Sequence, residues 1–337
     1  MHRPSLTGCS SPGCSPPGSS SPGLSSPGSS PSGSPAPSAT PLPALPRLLL
    51  GAALKRRGSL PAAQDALTLL GSYHHPGLDH AHQARYRAAL GFAPEAPPPL
   101  CLAYLPLQQA QLALMLQAAF PYRLLGMVHL AQQLRRLGPW RPDQPLRLDL
   151  QLRIEPATPR GRREALIQAS LSQQAQVCLS AESRYLLERG RRDAPSDPRS
   201  ASPSEAKAQA PGAPAARPLG DWFLPHHAGR RYARLSGDWN PIHLWPWSAR
   251  ALGLAQPIIH GMHSLARCEA LLGGQDGLAG LAARFTRPAP LGRQLTLHAQ
   301  GEDFQVLEAG RAVLVGRAQR VNQAAGSAPS DLIGPGR

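Results

Sequence analysis

The stretch that decides the fold lies in the C-terminal half and reads Tyr-Ala-Arg-Leu-Ser-Gly-Asp-Trp-Asn-Pro-Ile-His over residues 232–243. Asp238 and His243 are five positions apart, and the proline at position 241 blocks a regular helix between them and favours a turn. A turn can direct both side chains at one water molecule. Because a carboxylate beside an imidazole supplies a base and an acid near neutral pH, these two residues form the candidate catalytic pair.

A second stretch, Pro-Ile-Ile-His-Gly-Met over residues 257–262, follows shortly afterwards. Gly261 stands at the start of a predicted helix, so its N–H is one of the donors that a helix start leaves unpaired. Such a donor, at the positive end of the helix dipole, suits a negative charge that develops on an oxygen. Within the first stretch, Gly237 permits a sharp turn or a close ligand, and Asn240 braces its own loop or holds the water. His260 is expected to pack or to brace the loop, and a catalytic role is the alternative left open for it.

The two stretches together resemble the hydratase motif of the MaoC-like family, which includes R-specific enoyl-CoA hydratases and related acyl dehydratases. The resemblance is close over residues 232–263, follows element order over residues 218–322, and is only architectural over residues 95–190. It implies an α+β hot-dog fold, in which a long antiparallel sheet wraps around a central helix. Some members carry two hot dogs in one chain, with the first degenerate and the second catalytic, and we expect such a double hot-dog fold.

The resemblance also implies a reaction, namely the reversible hydration of a trans-2-enoyl thioester to an R-configured 3-hydroxyacyl thioester in fatty-acid metabolism. Asp238 would take a proton from water, His243 would position that water and share in proton delivery, and the amide of Gly261 would meet the thioester oxygen. Ser236, Gly237 and Asn240 are assigned to the binding of substrate. No metal or redox cofactor is expected, and coenzyme A or an acyl carrier protein enters as part of the substrate.

Element order supports two copies of one fold, each a helix followed by an antiparallel meander. Leucines alternate strictly with polar residues over residues 146–154, as in a strand with one buried face. A short echo supports the repeat, because Gly126-Met-Val-His resembles Gly261-Met-His. The predicted helices are residues 124–137 and 261–272, residues 112–116 are an apolar helix or a buried strand, and the other predicted strands are residues 165–172, 177–187, 284–287, 291–299 and 311–321.

Composition places the domain boundaries. Residues 1–46 are rich in Ser, Pro and Gly, cannot bury enough apolar surface to fold, and are predicted to be a disordered tail. Residues 193–217 have the composition of a linker between the halves. The predicted organisation is therefore a tail (1–46), a degenerate hot dog (47–192), a linker (193–217), a catalytic hot dog (218–325) and a C-terminal tail (326–337).

Charge and cysteine content narrow the function classes. The 337-residue chain carries a net charge of +15, but its arginines are spread out without interleaved aromatic residues, so nucleic acid is not the expected partner. No apolar run is long enough for a membrane span, and no secretory signal layout precedes the fold. The five cysteines are scattered and odd in number, which favours the reducing cytoplasm over a disulfide framework. Arg284 and Arg287 could meet the phosphates of a carrier, and a homodimer of double hot dogs is possible.

Alternative interpretations remain open at this point. A hot dog can also serve as a thioesterase or as a non-catalytic module that binds acyl thioesters, although the second would not need both Asp238 and His243. The N-terminal half lacks the Asp-x-Asn-Pro-x-His pattern, so we expect it to pack against the catalytic half and hold substrate. The histidines at positions 74, 75, 80 and 82 are interpreted as a solvated loop rather than a metal site.

Overall fold

The structure, a computed structural model, describes residues 38–59, 66–190 and 217–321. Six α-helices and eleven strands are formed in these ranges. None of these helices has the length and apolar composition needed to cross a bilayer. The strands are β1 (Thr40–Pro41), β2 (Leu67–His75), β3 (Val128–Arg136), β4 (Leu146–Ile154), β5 (Arg163–Gln173), β6 (Gln176–Glu188), β7 (Arg217–Phe223), β8 (Leu278–Phe285), β9 (Gln294–Gln300), β10 (Asp303–Glu308) and β11 (Arg311–Arg320), and the helices are α1 (Leu45–Leu54), α2 (His80–Leu90), α3 (Leu100–Met115), α4 (Ala228–Ser236), α5 (Pro246–Ala251) and α6 (Gly261–Gly273).

The N-terminal half is an antiparallel sheet in the order β2-β4-β5-β6-β3 with α3 packed against it. The alternation predicted for residues 146–154 is confirmed, because Leu146, Leu148, Leu150, Leu152 and Ile154 are all buried and the intervening residues are not. Helix α3 is apolar on nearly all sides, and such a helix belongs in the interior of a fold. This half is therefore a complete hot dog with α3 as its central helix.

The C-terminal half repeats the arrangement, with an antiparallel sheet in the order β8-β11-β10-β9-β7 and α6 as its central helix. Helix α6 begins at Gly261, as predicted, and ends one residue beyond the predicted end. Strand β10 lies between the predicted strands 291–299 and 311–321, where no strand was predicted. Strand β10 is only six residues long, and its buried and partly exposed positions alternate only weakly. Its sequence pattern is therefore too short to predict a strand.

The two sheets join into one sheet of eleven strands through antiparallel pairing of β3 with β8. Their register places Ala131 opposite Arg284 and Leu134 opposite Leu281. This pairing hides an edge strand of each sheet, and exposed edges invite association with other chains. The protein is thus a double hot dog in which the halves share one sheet and α3 contacts α6.

One predicted helix is wrong. Residues 128–136 form strand β3, although the leucines at positions 130, 134 and 137 have helical spacing. Pairing with β6 on one side and β8 on the other supplies hydrogen bonds along the strand, and this tertiary context overrides local propensity. The echo between Gly126 and Gly261 is also misleading, since Gly126 precedes a strand in a turn at φ 97° and not a helix.

Two further predictions need correction. Residues 40–46, assigned to the tail, include β1 and the start of α1, because the short β1 pairs in parallel with β2. His74 and His75 belong to β2 and pair with β4, and His80 and His82 belong to α2, so the histidine cluster is not a loop. Residues 1–37, most of the predicted linker and the predicted C-terminal tail lie outside the described residues, so those boundaries stay predictions.

A buried carboxylate ties the two central helices together. Glu269 of α6 accepts hydrogen bonds from the N–H of Leu100 at 2.5 Å and the N–H of Cys101 at 2.9 Å. These are the first two residues of α3, whose own N-terminal flanking residue, Pro99, offers no side-chain cap. Burial raises the pKa of Glu269 above its ordinary value. The C-terminal half therefore caps the central helix of the N-terminal half.

We expect Glu269→Ala to destabilise the whole double hot dog. The change leaves two buried N–H groups without acceptors, at a cost of about 1–3 kcal/mol each. Glu269→Gln keeps one side-chain acceptor and should lose less. Urea unfolding of the three proteins measures the difference, and equal unfolding midpoints for wild type and Glu269→Ala would contradict a role for this residue in joining the halves.

Candidate active site

The loop that carries Asp238 begins at the end of α4. Gly237 ends this helix in the left-handed region at φ 75°, which L side chains rarely adopt. The hydroxyl of Ser236 donates to the carbonyl of Tyr232 at 2.9 Å and accepts from the N–H of Asp238 at 3.2 Å. Ser236 and Gly237, which were assigned to substrate binding, therefore shape and brace this loop in the structure.

Asn240 links the carboxylate to the histidine that follows. Its N–H donates to Oδ1 of Asp238 at 3.1 Å, and its side-chain oxygen accepts from the N–H of Ile242 at 3.4 Å. Residues 241–243 then form a single 3-10 turn that starts with the proline. The predicted turn is thus present, and it places the side chains of Asp238 and His243 on the same site.

His243 is buried and held in one orientation. Its Nδ1 lies 2.9 Å from the carbonyl oxygen of Ile258. Because a carbonyl can only accept, Nδ1 carries the hydrogen and Nε2 keeps its lone pair. Burial, with the adjacent His260, lowers the pKa of His243 to about 3. The residue is therefore neutral at physiological pH and offers the site an acceptor.

His260 is stacked on His243 with ring centroids 3.7 Å apart. Its Nε2 lies 2.9 Å from the backbone carbonyl of Asp238. His260 therefore braces the loop that carries Asp238, which is one of the roles expected for it. Burial lowers its pKa as well. Asp238, His243 and His260 each offer a ligand atom within 4.8 Å of the others, a donor set that a divalent cation can also use.

The N-terminal half reaches the site through Gln108 of α3. Its side-chain amide donates to Oδ2 of Asp238 at 3.1 Å, and its carbonyl oxygen is buried with no partner among the described residues. Burial raises the pKa of Asp238, yet His260, His243, the Asn240 N–H and the Gln108 amide together hold it below its ordinary value. Asp238 is therefore an anion at neutral pH. Nothing in the sequence distinguished Gln108 from the other polar residues of α3.

Gly261 begins α6, and its N–H has no acceptor within the helix. A Cβ at this position would lie 2.7 Å from ring carbons of Phe285 in β8, so only glycine fits beneath that ring. Phe285 in turn meets the ring of His129 from β3 at 4.9 Å between centroids. Arg284 precedes Phe285 and Arg287 lies two residues after it, and both side chains are exposed. Their contact with the phosphates of a carrier stays a prediction.

The protonation states predict an unusual pH dependence, since the site needs an anionic Asp238 and a neutral His243. Both pKa values lie below their ordinary range. Activity should therefore stay level as the pH falls from about 8 to about 5, whereas a histidine with the ordinary pKa of about 6.5 would halve it on the way. A decline centred near the ordinary histidine value would contradict this assignment.

Gln108→Ala should move the acid limb of that profile upward, because it removes one of the hydrogen bonds that favour the ionised carboxylate. Turnover should fall by roughly tenfold, which corresponds to about 1.4 kcal/mol. Gln109→Ala is the matched control, because the Gln109 amide donates to the carbonyl of Pro43 and not to the site. An unchanged acid limb in Gln108→Ala would show that this contact does not tune Asp238.

Comparison with known proteins gives a solved structure of similar fold and a family model that matches part of this chain. HtdX of Mycobacterium tuberculosis has a similar solved structure, with a TM-score of 0.58 and 20% identity, and the match covers 74% of this chain and 99% of that one. This likeness shows a shared fold. Residues 207–322 match the family model of the MaoC like domain.

Two curated proteins share local sequence with this chain. 3-Hydroxyacyl-thioester dehydratase Y of Mycobacterium tuberculosis is 41% identical over 70 residues, which cover 19% of this chain and 24% of that protein. Fatty acid synthase beta subunit stcK of Emericella nidulans is 49% identical over 41 residues, which cover 12% of this chain and 2% of that protein. The chain thus spans under a quarter of the length of either relative.

Proposed function

We propose that the protein catalyses the reversible hydration of a trans-2-enoyl thioester to a 3-hydroxyacyl thioester of R configuration, as part of fatty-acid metabolism. The observation that carries the proposal is the cluster of an anionic Asp238 with a neutral His243 and with His260, the residue that directly precedes Gly261 at the start of α6. The local identity to a protein named as a 3-hydroxyacyl-thioester dehydratase supports the same chemistry.

The two side chains suit the activation of one water molecule. Nε2 of His243 and the carboxylate of Asp238 are both acceptors, so a water between them directs its two hydrogens at them and presents a lone pair to the substrate. Asp238 takes one proton as the water oxygen bonds to C3 of the enoyl group, and the C2–C3 π electrons move onto the thioester oxygen as an enolate. Collapse of this enolate takes the proton from Asp238 at C2, which restores the carboxylate.

The enolate oxygen needs a donor while it carries charge. The N–H of Gly261 stands at the start of a helix of thirteen residues, where the positive end of the dipole adds to the hydrogen bond. Removal of one comparable donor in other enzymes costs roughly 3–4 kcal/mol in the barrier. The Gly261 amide therefore accounts for the stabilisation that a base and a water alone cannot supply.

The test is a direct assay with crotonyl-CoA and with longer enoyl-CoAs, followed by loss of absorbance from the conjugated double bond. Oxidation of the product by R-specific but not S-specific 3-hydroxyacyl-CoA dehydrogenase checks the configuration. Parallel detection of free thiol separates hydration from hydrolysis. Release of coenzyme A without hydration would favour a thioesterase, and binding without either reaction would favour a non-catalytic module.

The same assay addresses the carrier and the metal. Acyl carrier protein and pantetheine thioesters of the same acyl group show whether the nucleotide phosphates matter, and therefore whether Arg284 and Arg287 meet them. We propose that no metal takes part, so activity should survive dialysis against EDTA. A reducing compartment such as the cytoplasm fits the three described cysteines, which are buried and free. A homodimer stays a proposal for solution measurements.

A further inference from the structure

Asp238, His243 and His260 form a group, here called the acceptor cluster, that can hold a metal ion as well as a water molecule. One ligand atom of each residue lies within 4.8 Å of the ligand atoms of the other two. Three points at such separations all lie within about 2.8 Å of a common centre, and bonds from zinc to nitrogen or oxygen are about 2.0–2.2 Å long. Shifts of less than about 1 Å therefore bring all three atoms to bonding distance from one ion. An ion at that distance fits inside the ring of its ligands and needs no water-sized cavity.

Both imidazoles of the acceptor cluster are oriented as metal-binding histidines are. Nδ1 of His243 donates to the carbonyl of Ile258 at 2.9 Å, and Nε2 of His260 donates to the backbone carbonyl of Asp238 at 2.9 Å. Because a carbonyl can only accept, the other nitrogen of each ring, Nε2 of His243 and Nδ1 of His260, carries a lone pair. A histidine ligand typically donates its second ring N–H to a carbonyl or a carboxylate, which fixes the tautomer that binds the metal.

His260 provides an independent sign that the acceptor cluster lacks a partner. The residue is only 2% exposed, and its Nδ1 has no hydrogen-bond partner among the described residues. The side-chain oxygen of Gln108, whose amide nitrogen donates to Asp238, is another buried acceptor without a partner there. Each buried acceptor that stays unpaired costs about 1–3 kcal/mol. Several acceptors can share one cation, and the Gln108 oxygen is a candidate for the fourth ligand of a tetrahedral ion.

The charges of the acceptor cluster favour a cation. Asp238 is an anion that accepts hydrogen bonds from the Asn240 N–H and the Gln108 amide, with no Lys or Arg ion pair in the described ranges. Burial lowers the pKa of both His243 and His260, so both imidazoles are uncharged at neutral pH. The cluster therefore combines one negative charge with two lone pairs on nitrogen. Removal from water strengthens the attraction between these groups and an ion.

The ligand types of the acceptor cluster select the kind of metal. Two imidazole nitrogens and one carboxylate oxygen suit Zn²⁺, which is four-coordinate in most protein sites. A water molecule or the Gln108 oxygen can complete such a set. The harder ions Mg²⁺ and Ca²⁺ take oxygen ligands and higher coordination numbers, so the cluster does not suit them.

We propose that Asp238, His243 and His260 bind Zn²⁺ and that the bound ion switches the enzyme off. The ion bonds to the carboxylate and to Nε2 of His243, the two acceptors that orient the water in the proposed reaction. Asp238 can then neither take a proton from water nor return one to C2, so activity stops until the zinc is removed. His260, which takes no part in the proton transfers, acts as the third ligand. The switch rests on the proposed function, whereas the binding of zinc does not.

Binding is measured on the full-length protein with Co²⁺ as a coloured probe and Zn²⁺ as its competitor. The visible absorption of Co²⁺ should rise on binding and disappear when zinc displaces the ion. Asp238→Asn keeps the shape of the side chain and removes the charged ligand. It should weaken zinc binding by more than about 100-fold, since loss of an outer partner of a ligand already costs about 10–100-fold. His260→Phe keeps a ring beside His243 and should weaken binding too. His80→Ala, which removes an exposed imidazole beside Asp143, is the control and should bind as the wild type does.

Inhibition is measured with crotonyl-CoA at low concentration and increasing zinc. Turnover should be halved at the zinc concentration that half-fills the site, EDTA should restore it, and Mg²⁺ should have no effect. Equal zinc affinity in the wild type, Asp238→Asn and His260→Phe would overturn the site, and a zinc-saturated protein with full turnover would overturn the switch. A wild type that binds zinc but hydrates no enoyl-CoA in EDTA would reject the proposed function and retain the site, so the two failures are distinguishable.

Discussion

Asp238→Asn is expected to lower turnover by roughly 100-fold or more, the usual scale for the loss of a general base. The substitution keeps the shape of the side chain and removes its negative charge. The new amide nitrogen donates where the carboxylate accepted, so the water loses one of the two acceptors that orient it. Turnover and KM with crotonyl-CoA measure the effect, and KM should change little because the substrate's own contacts are retained.

The fold should survive this substitution, for a reason visible in the structure. Gln108 now donates to Oδ2 of Asp238 and holds an unpartnered carbonyl oxygen in the interior. A flip of the Gln108 amide would turn that oxygen towards the new amide nitrogen, so the contact between the two side chains is kept and only one atom of the Gln108 amide lacks a partner, as in the wild type. The melting temperature of Asp238→Asn should therefore match the wild type. A variant that melts normally and hydrates at nearly the wild-type rate would reject the assignment of Asp238.

His243→Ala belongs to the same argument, because the two residues act on one water. Groups that act as a unit give non-additive losses, so the double variant should be about as slow as the slower single variant. Losses that multiply would indicate that Asp238 and His243 act in separate steps.

Gly261→Ala is the second change with a large expected effect, again about 100-fold, the scale of a displacement of about 1 Å at a reacting centre. The added Cβ would lie 2.7 Å from two ring carbons of Phe285, which is too close for any real contact, so the start of α6 or the ring must move. The backbone at Gly261 does not need a positive φ, so crowding is the cause and strain is not. Movement of the helix start carries the N–H away from the thioester oxygen.

Phe285→Leu tests whether crowding by this ring causes the loss of turnover in Gly261→Ala. A smaller side chain opens space above Gly261, so the double variant Gly261→Ala/Phe285→Leu should recover a substantial part of the lost turnover relative to Phe285→Leu alone. Measurement of kcat for the four proteins completes the cycle. A loss in the double variant as large as in Gly261→Ala would show that crowding by Phe285 is not the reason for the glycine.

Some parts of this molecule could be predicted from its sequence because the signal there is local. The strict alternation of β4 and the helix start at Gly261 depend only on residues that are neighbours in the sequence. The turn between Asp238 and His243 follows from a single proline. The clustering of those two side chains follows from that turn. What they do there stays a prediction.

Other parts depend on contacts between distant residues. Strand β3 has helical leucine spacing, and only its pairing with β6 and β8 makes it a strand. Gln108 meets Asp238 across 130 positions, and Glu269 caps α3 across 168 and 169 positions. No spacing rule connects residues so far apart, because the fold alone brings them together.

The pairing of β3 with β8 determines which chain provides Gln108, the residue that the N-terminal half contributes to the site. Covalent linkage makes the meeting of the two halves an intramolecular event, so dilution does not separate them. Each chain therefore completes Asp238 with its own Gln108 at any protein concentration. Linkage also removes the requirement that the halves be identical. The Asp-x-Asn-Pro-x-His pattern accordingly stands only in the C-terminal half of the sequence, and the N-terminal half is free to differ from it.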